Sequence, residues 1–222
     1  MDASSPSPQV WVKVCGLRDL RCVRAAVTAG ADAVGFVFAA GSVRTISLDT
    51  AQRLVTHVPT GVERVGVFRN QSIDDVLRIA NTAGLSTVQL HGAEPDGDFD
   101  ILRQSGFRSI QALSVADVNS GARSPAPSAD MLLLDSESPG SGHRPPSLTA
   151  SPESQWILAG GLTPDNVAAA ITEIRPWGVD VSSGVEITRG MKDPALIEGF
   201  IHAAHSAHLE GAAHETLAPR DR

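Results

Sequence analysis

The chain has 222 residues, 42% of them hydrophobic, with a formal net charge of -7 and a pI near 5.4. That length holds one barrel of minimal size or one other α/β domain, not two full domains. The acidic balance and the lack of any basic run argue against a nucleic-acid partner, and no apolar stretch is long enough to span a membrane. Two cysteines, Cys15 and Cys22, are too few and too close for a disulfide framework, which suggests a reducing compartment. The opening residues MDASSPSPQ lack the charge and the apolar run of a signal peptide. The expectation is a soluble cytoplasmic protein.

Residues 1–8 are rich in Ser and Pro and read as a disordered tail. Candidate strands then recur at intervals of roughly 20 to 30 residues, the period of a βα unit. They are VWVKVC (10–15), AVGFVF (33–38), ERVGVF (63–68), STVQL (86–90), RSIQAL (108–113), DMLLLD (130–135), WILAG (156–160) and GVDVSS (178–183). The segment 18–29 places Leu20, Val23 and Val27 on one helical face and meets Gly30, a suitable C-cap. Ser72 opens a second helix with Ile73, Leu77 and Ala80 as its stripe. Thr163-Pro164 reads as the start of a helix over 164–174, and Asp193-Pro194 opens the last one.

The period weakens twice. SVADVNSGARSPAPS after Leu113 predicts a loop in place of the fifth helix. SESPGSGHRPPSLTASPES after Asp135 predicts a short or irregular sixth. The barrel domain is read as 9–206, followed by a polar tail over 207–222. His202, His205 and His208, with His214 beyond, read as a solvated face of the terminal helix, because no carboxylate or cysteine completes a metal set.

Eight strands in this order predict a (β/α)8 barrel, an α/β fold of one domain. Strand side chains alternate, so one set faces the helices and the other fills the interior or the mouth. The inward set contains Lys13, Cys15, Gln89, His91, Asp135 and Asp180. Buried polar groups need partners, and the first and eighth strands are neighbours in a closed barrel, so Lys13 and Asp180 are expected to pair. Cys15 and Asp135 each end a strand on the side where barrel enzymes place their chemistry, and would face each other across the mouth. A buried thiol and a turn-forming carboxylate are the plain alternatives for these two. Two strands near the end run into glycine-rich turns, AGG at 159–161 and GVDVSSGVE at 178–186. Backbone amides in those turns suit a phosphate.

These segments resemble a known family. VKVCGLRD, ADAVGFVFAAGSVRTIS, VGVFRN, VQLHGAE, LLLDS, WILAGGLTPDNV and GVDVSSGVE, with MKD behind it, are similar to phosphoribosylanthranilate isomerase of tryptophan biosynthesis. The likeness runs from about 10 to 200 in the family's order. It implies a cofactor-free, metal-free (β/α)8 barrel that turns N-(5-phosphoribosyl)anthranilate into 1-(o-carboxyphenylamino)-1-deoxyribulose 5-phosphate by an Amadori rearrangement. The family's general acid falls on Asp135, which would protonate the ring oxygen and open the sugar to a Schiff base. Its general base falls on Cys15, which would take the C2 proton as a thiolate near neutral pH. The resemblance also gives Arg44 the anthranilate carboxylate, although from the residues alone Arg44 reads as a solvated loop arginine. It places the phosphate on Gly160, Gly161, Ser183 and Gly184 and makes His91 a residue that shapes the mouth or touches substrate; Asp180, paired with Lys13, is read as orienting the site from below and is counted with the substrate-binding residues.

One region departs from the family. A GGTGK-like turn normally follows the acid; here PGSGHRPP (139–146) puts Pro139 in place of the first glycine and His143 in place of the lysine. Other readings are a histidine-pathway aminoaldose isomerase, alone or as a second activity, and a binding-only protein that keeps the phosphate site. The former enzymes use paired aspartates, whereas this chain has cysteine at the first position. The partner expected is a small phosphorylated molecule, and the chain is read as a monomer or a homodimer.

Overall fold

A computed structural model describes residues 9–135 and 155–215, with side chains described as far as residue 207. Eight parallel strands close into one barrel in sequence order. They are β1 (Trp11–Cys15), β2 (Ala33–Val37), β3 (Glu63–Phe68), β4 (Thr87–Leu90), β5 (Arg108–Ser114), β6 (Met131–Asp135), β7 (Trp156–Ala159) and β8 (Gly178–Val181). Helices α1 (Leu20–Ala29), α2 (Leu48–Val55), α3 (Ile73–Ala83), α4 (Asp96–Gln104), α5 (Val115–Ser120), α6 (Val167–Ile174) and α7 (Pro194–Glu215) lie around it. A small antiparallel pair, β9 (Glu186–Thr188) and β10 (Met191–Lys192), follows β8.

The helices start and stop where side chains can satisfy their end groups. Asp19 accepts from Cys22 N at 3.0 Å and Gly30 ends α1 in the left-handed region at φ 95°. Ser72 and Gly84 do the same for α3. The expected loop after β5 is instead a six-residue helix, α5, because Ser114 caps Asp117 N and Gly121 takes φ 71°. Good caps at both ends offset the weak periodicity there. The expected start of α6 at Thr163-Pro164 is also corrected: those residues form a turn, Asn166 Oδ1 accepts from Thr163 N at 2.8 Å, and the helix begins at Val167. Helices α2 and α4 add to the four read from the sequence. The last helix runs through residue 207, where the sequence suggests a tail, on to Glu215. His202 is exposed, whereas His205 is half-buried beside Gly30. The expected irregular sixth helix and the tails at 1–8 and 216–222 lie outside the described residues.

Strand alternation sorts the core into two layers. Val12, Val14, Val34, Phe36, Val88, Leu90, Val179 and Val181 point outward and pack with the helices. Ala33, Val65, Ile110, Met131, Leu133 and Ile157 fill the barrel. Trp11 stacks on Trp177 at 5.3 Å and packs against the lower end of this inner layer. Register places Lys13 beside Ala33 on one side and beside Asp180 on the other. Lys13 Nζ donates to Asp180 Oδ1 at 2.8 Å with no exposed surface of its own. Helix α7 packs against both α1 and α6 and so completes the outer ring where the barrel closes.

Removing one member of such a pair leaves an uncompensated buried charge. Lys13→Ala is therefore expected to cost roughly 3–5 kcal/mol in urea unfolding, while a Lys13→Met, Asp180→Leu double variant recovers most of that.

Candidate functional site

A cavity of about 430 Å³ opens at the C-terminal end of the barrel. Its walls include Cys15 from β1, Arg44 from the loop after β2, Arg69 after β3, Gln89 and His91 from β4, and Asp135 from β6. Gly160, Gly161, Ser182 and Ser183 complete it after β7 and β8, and Asp180 lies at its base. Of the residues given catalytic or substrate-binding roles from the sequence, Gly184 does not line it. That glycine is packed instead: a Cβ there would sit 1.8 Å from the Leu162 carbonyl oxygen. The closeness clamps the β8 turn onto the β7 turn, so a side chain at this position would force the two apart.

Cys15 is nine-tenths buried, and its neighbour in register is Gly35. A Cβ on Gly35 would lie 3.1 Å from Cys15 Sγ, so the glycine makes room for the thiol on the inner face. Burial pushes the thiol above its ordinary value; Lys13 and Lys192 pull it down, Asp180 adds to the rise, and the net direction is up. Burial thus opposes the thiolate expected of the base, and Lys13, which also donates to Asp180, offsets that only in part. Lys13 itself is disfavoured by burial, but Asp180 and Cys15 together raise it, so it stays charged.

Asp135 sits across the ring on β6 with its side chain about half exposed. Its Oδ2 lies 3.7 Å from His91 Nε2. Burial lowers His91 and Asp135 opposes that, leaving the ring below its usual value and neutral at pH 7. Gln89 Nε2 lies 3.1 Å from His91 Nδ1. With Nδ1 accepting from the amide, the ring N–H falls on Nε2, toward Asp135. Gln89 Oε1 is buried without a hydrogen-bond partner among the described residues, an open acceptor on the cavity wall.

The loop after β2 folds back through a Val37–Thr45 bridge, which carries Arg44 over the mouth. The arginine is largely covered and paired, its side chain 23% exposed. Its Nε and Nη2 donate to the two oxygens of Glu186 at 2.6 and 2.9 Å. Its stem lies against Gly16, where a Cβ would come within 2.8 Å of Arg44 Cδ. Burial would raise the Glu186 carboxyl, but the Arg44 fork, the Gly190 N–H and Lys192 hold it at about 2. The sequence reading left Glu186 and Lys192 unassigned, as it did Arg69 and Ser182 of the cavity wall. An acidic residue two positions past SSG, with a lysine six further on, was visible as a pattern; its link to Arg44, 142 positions away, was not.

At the other end, Gly160 and Gly161 take φ 90° and 52°. Glycine adopts that region without the strain a Cβ brings, and it lets a ligand approach the backbone closely. Ser183 and Gly184 open a 3-10 turn (Ser183–Val185), whose first N–H groups have no partner within the turn. Two amide-rich loops thus meet beside a chamber that holds a thiol, a carboxyl and an arginine. Groups of three or more histidine, cysteine or acidic residues able to hold a metal are absent among the described residues.

The sequence model of N-(5'-phosphoribosyl)anthranilate (PRA) isomerase matches residues 12–203. The chain belongs to this family. It is 43% identical over 206 residues to the N-(5'-phosphoribosyl)anthranilate isomerase of Deinococcus radiodurans, covering 88% of this chain and 96% of that protein. The structure of TrpF from Jonesia denitrificans superposes with a TM-score of 0.79 at 39% identity, covering 90% of this chain and 98% of that one. A phosphoribosyl anthranilate isomerase solved with reduced 1-(o-carboxyphenylamino)-1-deoxyribulose 5-phosphate gives a TM-score of 0.74 at 35% identity, with coverage of 89% and 99%.

The burial of Cys15 has a direct chemical readout. In a Cys22→Ser background, iodoacetamide should alkylate Cys15 slowly at pH 7. The rate should climb with pH past the ordinary thiol value of 9.0, because the folded-state value is raised. Rapid alkylation that is already level by pH 7 would show that Cys15 is a thiolate without substrate.

Proposed function

We propose that this cavity isomerises N-(5'-phosphoribosyl)anthranilate in tryptophan biosynthesis, with Asp135 as general acid and Cys15 as general base. One observation carries the assignment of roles: the two residues end opposed strands of one barrel and line the same cavity. A ligand between them has an acid on one side and a base on the other.

The substrate's two anionic ends set its direction. The phosphate fits the turns at Gly160, Gly161 and Ser183, where backbone N–H groups supply the positive pole without a cationic side chain. Gly184 supports that seat by letting the two turns touch. The aryl carboxylate fits Arg44, whose planar fork matches it. The sugar then lies over Asp180 and between Cys15 and Asp135.

In the first step Asp135 gives its proton to the furanose oxygen, the C1–O bond breaks, and the amine nitrogen forms a C=N bond. His91 beside Asp135 is neutral and presents an N–H, so it can steady the carboxylate left behind without taking the proton itself. In the second step Cys15 removes the proton from C2, and the electron pair moves into a C1–C2 double bond as the iminium is neutralised. The enolamine then tautomerises to the ketone. The thiol must be ionised to act. Burial opposes this, while the iminium formed by the first step adds a positive charge near the sulfur. That charge and Lys13 favour the thiolate, so base strength appears when the intermediate does.

Freshly generated phosphoribosylanthranilate should be consumed by the parent protein, followed by loss of anthranilate fluorescence. Cys15→Ala and Asp135→Ala should each lose about 10²–10⁴-fold in kcat while keeping the parent's circular dichroism. Near-parent turnover in both would remove the assigned roles, and a folded parent without turnover would remove the activity.

A further inference from the structure

We infer that Glu186 is the positioning residue that fixes Arg44 for the substrate carboxylate, and that Lys192 ties this clamp to the phosphate loop. The inference deepens the reading of Arg44 given above and rests on it. A guanidinium has five N–H donors. Glu186 engages Nε and Nη2 along one side of Arg44. The tip of the fork, with donors on both Nη1 and Nη2, remains available to a second carboxylate.

Glu186 is suited to a fixed role because it is itself held. Its side chain is only 4% exposed. Oε2 also accepts from Gly190 N at 2.9 Å, and Oε1 lies 3.3 Å from Lys192 Nζ. A carboxylate gripped by two donors besides Arg44 does not readily swing away to follow a mobile arginine. It therefore limits Arg44 to one plane and one direction, which lowers the entropy lost when a carboxylate docks. Lys192 Nζ in turn donates to the Ser182 carbonyl at 2.7 Å, immediately before the turn assigned to phosphate. Ser182 Oγ donates to the Cys15 carbonyl at 3.2 Å. The carboxylate end, the phosphate turn and the strand bearing Cys15 are thus joined through one short hairpin.

The test measures calorimetric Kd values for two ligands. One is reduced 1-(o-carboxyphenylamino)-1-deoxyribulose 5-phosphate; the other is its phenylamino counterpart without the carboxylate. The parent should prefer the carboxylate ligand, and Arg44→Ala should abolish that preference. Glu186→Gln should reduce the preference about tenfold, the worth of a well-aligned charged hydrogen bond. Glu186→Asp, which keeps the charge, should fall between parent and Gln. Equal weakening of both ligands in Glu186→Gln would overturn the inference, because a merely structural residue does not distinguish them. Tighter binding of the carboxylate ligand would also overturn it, by showing that Glu186 competes for Arg44. A parent without any preference would remove the Arg44 reading and this inference together, while the isomerase reading is decided separately by turnover.

Discussion

Lys13 and Asp180 form the interaction around which the site is arranged. The lysine has no exposed surface, and its ammonium lies 2.8 Å from the carboxylate across the seam between β1 and β8. A lone charge at that depth is too costly to keep, so each residue requires the other. The pair joins the first and last strands at the point where the ring closes. It also places a fixed positive charge directly below Cys15. Stability and local electrostatics thus share one contact: the geometry that closes the barrel also sets the field around the thiol.

Above that layer, different elements supply the polar groups of the mouth. The β7 and β8 turns offer backbone donors and need glycine to do so. The β2 loop supplies a guanidinium that is already paired with a carboxylate. The β1 and β6 strand ends supply the thiol and the carboxyl. Cys15 is enclosed while Asp135 is half exposed, so the two are not equivalent in solvent access. An enclosed thiol responds strongly to a charge brought in by the ligand, because little water screens it. A partly wet carboxyl can exchange protons directly with bulk water.

The mouth is also stiffened from its side. Glu94, nine-tenths buried, accepts from Asn70 N at 2.7 Å and from Gly92 N at 2.8 Å. Asn70 adopts φ 58° and accepts from Ala93 N through its own side chain at 2.7 Å. A Cβ at Gly92 would lie 2.2 Å from that Asn70 oxygen, so the glycine is required by the approach of the two loops. Arg123 donates to the Gly92 carbonyl at 2.6 Å from the far side. These bonds hold the loops that follow β3 and β4, and with them the backbone that carries His91.

The sequence by itself determined the eight strands, their order and the face each side chain takes. A period of two is a local property of the backbone, readable without knowing what lies opposite. Inward placement of Lys13, Cys15, Gln89, His91, Asp135 and Asp180 followed from it directly. The glycine turns at 159–161 and 182–184 were legible for the same reason, since glycine marks backbone that a Cβ would obstruct. What followed from tertiary structure was the state of those groups. Arg44 read as a solvated side chain until folding brought Glu186 to it across most of the chain. The degree to which Cys15 is enclosed, and the upward push that burial gives its thiol, came from the closed barrel walls. The α5 helix formed because capping at Ser114 and Gly121 outweighed a weak stripe. Partner choice and desolvation depend on residues far apart in the chain, and only the closed barrel brings them within a few ångströms.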